Sequence, residues 1–327
     1  MRNNPLAICI TSAGFDKFGF CYQMRKTCIE VLFGKKQDIS QFSAIYSIDE
    51  DDDWQDPKVW KKSNPNLGIT VTEEYLQDQV TQAKNNPSLE IGVRTKNFGE
   101  WVSTKDIWIN DDLLLKNSQS VDLDNFSNET AYVGVDLAAV SDLTAVSIMI
   151  PKDGKVYFKN HYYLPFSALS NNSNSELYKE WKIKGLLTIT EGNVTDYDYI
   201  LRDLLKANQK VFIGKVAYDS YNATQWAIDA TSEGLPLEPF SQSLGNFNRP
   251  TKELERLIRS DKVVIDDNEI TRYCFSNVVL KQDYCENVKP TKATNQNKID
   301  GVIAMIQALG IYLYDPCYNN EFFNLKS

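Results

Sequence analysis

Apolar residues along the chain fall into short runs separated by polar turns, and the spacing inside each run predicts an alternation of strands and helices. Leu6 to Ile10 reads as a buried strand, followed by the small polar turn Thr11-Ser12-Ala13-Gly14. Asp16 to Phe33 has helical spacing, and residues 38–48 read as a second strand. The acidic run Asp49 to Asp53 reads as a solvated loop before Trp54 and Trp60, and Asn64-Pro65-Asn66-Leu67-Gly68 reads as a turn. A helix is predicted from Thr72, its N-cap, to Lys84, and Pro87 separates it from another that runs to about Phe98. Residues 103–129 are polar and weakly periodic.

From Thr130 the signal sharpens. Ala131 to Val135 is an apolar run that ends in Asp136, and Leu143 to Ile150 and Lys155 to Tyr163 flank the hairpin turn Pro151-Lys152-Asp153-Gly154. Helices are predicted at 174–184 and 196–208, then a strand from Val211 to Tyr218 that ends at Asp219. A helix from Asn222 to Glu233, a short strand from Pro236 to Gln242, and helices at 250–260 and 268–281 follow, with Pro250 in the first turn of the former. In the last helix, from Ile299, the residues Ile299, Val302, Ile303, Ile306 and Leu309 share one face. The resulting class is α/β.

Composition narrows the class further. With 327 residues, 42% hydrophobic and 24% charged, the chain is a globular protein of about two domains, and collagen-like, coiled-coil and wholly disordered readings are excluded. No apolar run approaches the ~18 residues of a membrane span, and Met1 to Leu6 has no secretory pattern. Six cysteines without a CxxC pair read as free thiols in a reducing compartment. The single His161 excludes a multi-histidine metal site. A net charge of −9 argues against an all-over nucleic-acid coat but leaves room for a local basic groove. Residues 1–130 carry most of the acidic excess, with 14 basic against 20 acidic side chains.

Three carboxylates stand out. Asp136 and Asp219 each end an apolar strand, and Asp300 lies in the first turn of the last helix. In open α/β sheets ligands collect outside the carboxyl ends of strands, so neighbouring strands and a helix packed beside them would bring the three acids together. Such acids repel unless protonated or met by cations, and carboxylate oxygens suit Mg²⁺ or Mn²⁺. Two ions ~3.5–4 Å apart activate water and stabilise a departing oxygen in phosphodiester hydrolysis, without histidine or cysteine. Asp142 is a candidate fourth acid, or a plain turn residue. Lys298 could steer phosphate or be a solvated lysine. Arg249, Lys252, Arg256, Arg259 and Lys262 could track a phosphate backbone, although the interleaved Glu253, Glu255 and Asp261 also suit a salt-bridged face. No GxxxxGK[ST] occurs: Gly34-Lys35 and Gly214-Lys215 lack the upstream glycine, so ATP hydrolysis by this chain is not expected.

These residues resemble the large subunit of phage terminases, the DNA-packaging motor and nuclease of tailed phages and prophages. The most specific matches are Val135-Asp136-Leu137 with Ser141-Asp142-Leu143-Thr144-Ala145, Tyr218-Asp219-Ser220-Tyr221-Asn222-Ala223, and Lys298-Ile299-Asp300-Gly301. Thr11, Ser12, Ala13 and Gly14 are similar to the family's ATP-coupling motif, and Trp54, Trp60, 64–68 and Arg94 to Trp101 resemble further family stretches. The resemblance implies the end of a P-loop ATPase domain at 1–50, a helical subdomain and linker at 51–129, an RNase H-like nuclease domain at 130–317, and a tail at 318–327. It implies catalytic and metal-holding acids at Asp136, Asp219 and Asp300, with Asp142 as an accessory, two Mg²⁺ or Mn²⁺ ions, and concatemeric double-stranded DNA as substrate. Portal protein and small terminase are the implied partners, with no membrane, in the cytoplasm of the bacterial host. The family's ATP-binding core would lie upstream of Met1, and a remnant of that domain would expose apolar surface and favour self-association. A catalytically inactive prophage remnant that only docks portal or small terminase is the alternative.

Overall fold

In the computed structural model, residues 6–14, 20–86, 89–102, 108–138, 142–170, 174–220, 224–292 and 297–315 are described, within two compact units, Met1–Lys105 and Asp106–Ser327.

The first unit is built from α1 (Phe20–Leu32), α2 (Trp60–Ser63), α3 (Glu73–Asn85) and α4 (Glu90–Phe98). Thr72 caps α3 as expected, its hydroxyl accepting from the Tyr75 amide at 3.1 Å. Trp60 is fully buried in a core with Leu76, Val80 and Phe98, and its indole donates to the Trp54 carbonyl at 2.9 Å. The Asn64 amide ties the turn after α2 to the Asn97 carbonyl at 2.9 Å. Neither expected strand forms. Residues 6–10 are irregular, with Leu6, Ile8 and Ile10 84%, 76% and 93% exposed, and 38–48 is irregular with Ile39 and Phe42 exposed. A strand needs a neighbour for its backbone groups, and the described part of this unit contains no ladder, only the single bridge Leu67–Val71. Helix α1 likewise has no buried residue. The four residues Thr11 to Gly14 belong to the irregular segment, and residues 16–19 of the expected first helix lie outside the described residues.

The second unit begins before the change of sequence texture at 129/130. The polar stretch holds α5 (Asp111–Lys116) and β1 (Ser118–Gln119), which adds in parallel to β8 (Val263–Asp266), and Trp108 stacks on Phe275. Then come β2 (Thr130–Asp136), β3 (Thr144–Lys152) and β4 (Lys155–Pro165), an antiparallel meander whose tight turn at Asp153–Gly154 has positive φ at both residues. The remaining elements are α6 (Ser175–Ile183), β5 (Thr188–Thr190), α7 (Asp198–Asn208), β6 (Phe212–Tyr218), α8 (Thr224–Ser232), β7 (Leu237–Pro239), α9 (Leu244–Arg259), β8, α10 (Glu269–Ser276), β9 (Val278–Gln282), β10 (Val288–Lys292) and α11 (Asp300–Leu313). Strand order is β1–β8–β4–β3–β2–β6–β7, with β5 beside β4; β6 and β7 run parallel to β2. An antiparallel trio continued by two parallel strands, with helices on both faces, is the RNase H-like arrangement.

Three helix expectations need correction. Helix α9 starts at Leu244, capped by Ser243, so Pro250 is interior rather than in the first turn. A proline there cannot bond the carbonyl four residues back, and the Tyr314 hydroxyl donates to that Asn246 carbonyl instead, at 3.3 Å. The helix expected at 268–281 stops at Ser276, and Val278–Gln282 pairs in antiparallel register with Val288–Lys292. In α11 every residue from Gly301 to Leu313 is buried rather than one stripe, because the helix lies on β2 and β3 and is covered by α9 and α10.

Strand alternation divides β2 between two cores. Ala131, Val133 and Val135 join Val146, Ile148, Tyr163 and the inner sides of α7 and α8. Tyr132, Gly134 and Asp136 therefore face α11, where the Tyr132 and Tyr312 rings meet edge to face at 5.0 Å. Gly134 is the point of closest approach: a Cβ there would lie 2.0 Å from the Ala304 carbonyl oxygen and 2.6 Å from the Ala308 nitrogen. Gly134→Ala is therefore expected to lower unfolding free energy by about 3 kcal/mol, the upper end of the usual overpacking cost, because the obstacle is backbone. Urea denaturation checks this, and an unchanged midpoint would show that α11 can shift freely.

Candidate active site

Each acid is delivered by a different element. Val135 is in register with Tyr218, so Asp136 and Asp219 leave the carboxyl ends of adjacent parallel strands side by side. Asp300 opens α11. From the contact of Gly134 with Ala304, two residues of strand rise about 6.7 Å to Asp136. Four residues of helix rise about 6 Å back to Asp300. The Tyr132–Tyr312 contact on the other side of Gly134 fixes helix and strand as antiparallel, so both carboxylates stand at the same end.

The electrostatics agree with this convergence. Burial pushes the Asp136 carboxyl well above the ordinary range, helped by the negative charge of Asp300 and less by Asp219 and Asp142. A hydrogen bond from the Gln242 amide, Nε2 to Oδ1 at 3.0 Å, opposes the rise. Asp300 is pushed up to about 7, first by burial and then by Asp142. Its Oδ2 is buried and has no hydrogen-bond partner among the described residues. A buried carboxylate oxygen without a donor, beside a second acid, is costly unless a proton or a cation meets it.

Asp142 precedes β3 and is gripped by Lys298, whose Nζ lies 2.5 Å from Oδ1, with the Lys292 Nζ at 3.9 Å from Oδ2. Lys298 is therefore neither solvated nor open to bulk phosphate: it is 6% exposed and spent on Asp142. Among the described residues, no three or more Asp, Glu, His or Cys side chains are arranged so as to hold a metal ion as they stand. Two of the acids carry protein donors instead, Gln242 on Asp136 and Lys298 on Asp142. The donor set is nonetheless all oxygen, with one buried oxygen of Asp300 unmet, and this chemistry fits a hard divalent cation.

The basic residues of α9 are engaged within the fold, two of them in ion pairs. Arg256 makes two hydrogen bonds to Glu253, at 2.6 and 2.9 Å, and Arg259 bonds Glu255 at 2.8 Å. Lys252 donates to the Glu286 carbonyl at 2.8 Å, and Arg249 lies over the Tyr314 ring at 5.6 Å. His161 is on β4, opposite Val146, on the sheet face away from α11. Ser141 and Tyr221 to Ala223, which belong to the sequence motifs, lie outside the described residues. Sequence reasoning missed Gln242, since a glutamine after a short strand carries no signal of its own. No helix among the described residues is long and apolar enough to cross a membrane.

The family model described as "Terminase large subunit, endonuclease domain" matches residues 35–315. Protein YmfN of Escherichia coli (strain K12) is 33% identical over 325 residues, covering 94% of this chain and 71% of that protein. The terminase large subunit of Enterobacteria phage HK97 is 27% identical over 286 residues, covering 84% of this chain and 55% of that protein. The crystal structure of the HK97 large terminase superimposes with a TM-score of 0.57 at 25% identity, over 88% of this chain and 60% of that one. The chain thus spans little more than half of the HK97 protein.

The raised Asp300 carboxyl makes metal-free stability depend on pH. Its ordinary value is 3.8 and its folded value about 7, so the folded state holds the proton more tightly. The stabilisation is full below about pH 3.8 and is lost as pH rises through about 7. In EDTA, the melting temperature is expected to fall between pH 5 and 8, and to fall less steeply in Asp300→Asn. Parallel slopes for the two proteins would mean that Asp300 does not titrate in this window.

Proposed function

The chain belongs to the terminase large subunit family through its endonuclease domain, and on that footing we propose that it is a divalent-metal-dependent DNA endonuclease. Its substrate in this reading is concatemeric double-stranded DNA, cut at the start and end of genome packaging. The observation that carries the reading is the meeting of Asp136 and Asp300 at one end of the β2–α11 contact, with mutual repulsion and an unmet buried oxygen.

Asp136, Asp219 and Asp300 would hold the ions, Mg²⁺ or Mn²⁺, two in number. The chemistry such ions would supply, when bound, is a lowered pKa for a water and stabilisation of the oxygen that leaves phosphorus. The protein's part is to place oxygen donors at three points: two on adjacent strand ends and one on a helix packed closely against Gly134. In open α/β sheets ligands collect outside the carboxyl ends of parallel strands, and Asp136 and Asp219 stand at two such ends. The Lys298 ammonium keeps Asp142 occupied, which leaves the other three acids as the metal-holding set and Asp142 as an accessory. Arg249, Lys252 and Arg256 would exchange their present partners for phosphate oxygens if the duplex tracks α9.

Portal protein and the small terminase are the partners that this role implies. The exposed Leu6, Ile8, Ile10, Phe33, Ile39 and Phe42 suit self-association or cover by an ATPase core.

Plasmid cleavage tests the reading. Cutting is expected with Mn²⁺ or Mg²⁺, none in EDTA, and a loss of at least ~100-fold in Asp219→Ala, the scale of a removed catalytic electrostatic contact. Cutting by the alanine variant at the rate of the unaltered chain would overturn the assignment. No cutting by the unaltered chain, together with capture of portal protein, would instead identify a docking module.

A further inference from the structure

Three parallel strands, β2, β6 and β7, end on the same side of the sheet: β2 closes on Asp136, β6 is followed by Asp219, and Gln242 lies three residues after β7. We propose that Gln242 is a positioning residue for metal binding, which fixes one oxygen of Asp136 so that the other is aimed at the ion. The inference rests on the endonuclease reading and adds to it a residue that neither the family motifs nor the sequence pattern indicated.

Both ends of Gln242 are held. Its side-chain Nε2 donates to Asp136 Oδ1 at 3.0 Å, from a position 106 residues further along the chain. Its carbonyl accepts from the Lys289 Nζ of β10 at 2.5 Å. The flanking backbone is equally constrained. The Phe240 amide donates to the Tyr218 carbonyl at 2.8 Å, which extends the β6–β7 ladder to the site, and the Asn246 side chain donates to the Ser241 carbonyl at 3.2 Å. Ser243 caps α9 immediately afterwards. The amide donor thus stands on a strut tied to β6, α9 and β10, and the Asp136 carboxylate inherits that rigidity.

The chemistry of the residue suits the task. A carboxylate with two free oxygens rotates about its last bond, and an ion must then immobilise it. An amide N–H removes that freedom and, being neutral, brings no positive charge to compete with a divalent ion. Lys298 on Asp142 is the contrast within the same site: an ammonium pairs with its acid by charge and withdraws it from the ions. Hydrogen bonds to metal-ligating groups are typically worth 10–100-fold in affinity, which sets the expected size of the effect.

The experiment is calorimetric titration of Mn²⁺ into the full chain without DNA, run beside plasmid cleavage as a function of Mn²⁺. Gln242→Leu, which keeps the bulk and removes the donor, is expected to weaken Mn²⁺ binding ~10–100-fold. Its half-saturating Mn²⁺ for cleavage should rise in step, while the rate at saturating Mn²⁺ stays within a few-fold. Gln242→Asn, one methylene too short to reach, is expected to show the same shift, so that a folding defect in the leucine variant does not remove the test. Unaltered Mn²⁺ affinity in both variants overturns the role of Gln242 while leaving the endonuclease reading intact, as does a loss of cleavage that excess Mn²⁺ does not restore. Absence of Mn²⁺ binding and of cleavage in the unaltered chain overturns both.

Discussion

The close approach of α11 to β2 at Gly134 is the constraint on which the nuclease unit depends. Any side chain there would collide with helix backbone, and backbone cannot rotate aside as a side chain can. The contact sets the height of the helix against the sheet, and height decides whether the first residue of the helix reaches the last residue of the strand. Gly301, the residue after Asp300, is closely packed as well, against a side chain: a Cβ there would fall 2.2 Å from the Tyr162 hydroxyl. Close packing is thus what turns two carboxylates, far apart in the chain, into one electrostatic unit.

That unit is expensive without a counter-charge. Burial raises both the Asp136 and the Asp300 carboxyls, the charge of Asp300 raises Asp136 further, and Asp142 adds to both. The protein relieves the strain in two ways, with an ammonium on Asp142 and an amide on Asp136, and leaves Asp300 Oδ2 unmet. The stability of the folded chain and its affinity for divalent ions are therefore coupled. What destabilises the metal-free site is the same concentration of negative charge that an ion would relieve.

Much of this unit could be read along the chain, since strand β2 and the β3–β4 hairpin show their character in local pattern: an apolar run that ends in a carboxylate and a turn with an Asp-Gly pair. The Thr72 cap was legible for the same reason, since a cap is a bond across three residues. Residues 6–10 and 38–48 misled because apolar content signals a strand only when another strand is available to pair with it. Helix α9 began six residues before its expected start because Tyr314, distant in sequence, satisfies the carbonyl that Pro250 leaves open.

The sequence by itself determined which side chains end the strands and open the last helix, because those positions follow from periodicity and from local backbone chemistry. Tertiary structure alone decided that α11 is buried on all sides, that Lys298 is committed to Asp142, and that Gln242 reaches Asp136. Each of these is a contact between segments far apart in the chain, and its energy depends on distance and burial. Neither quantity exists until the sheet has formed and the helix has settled on it.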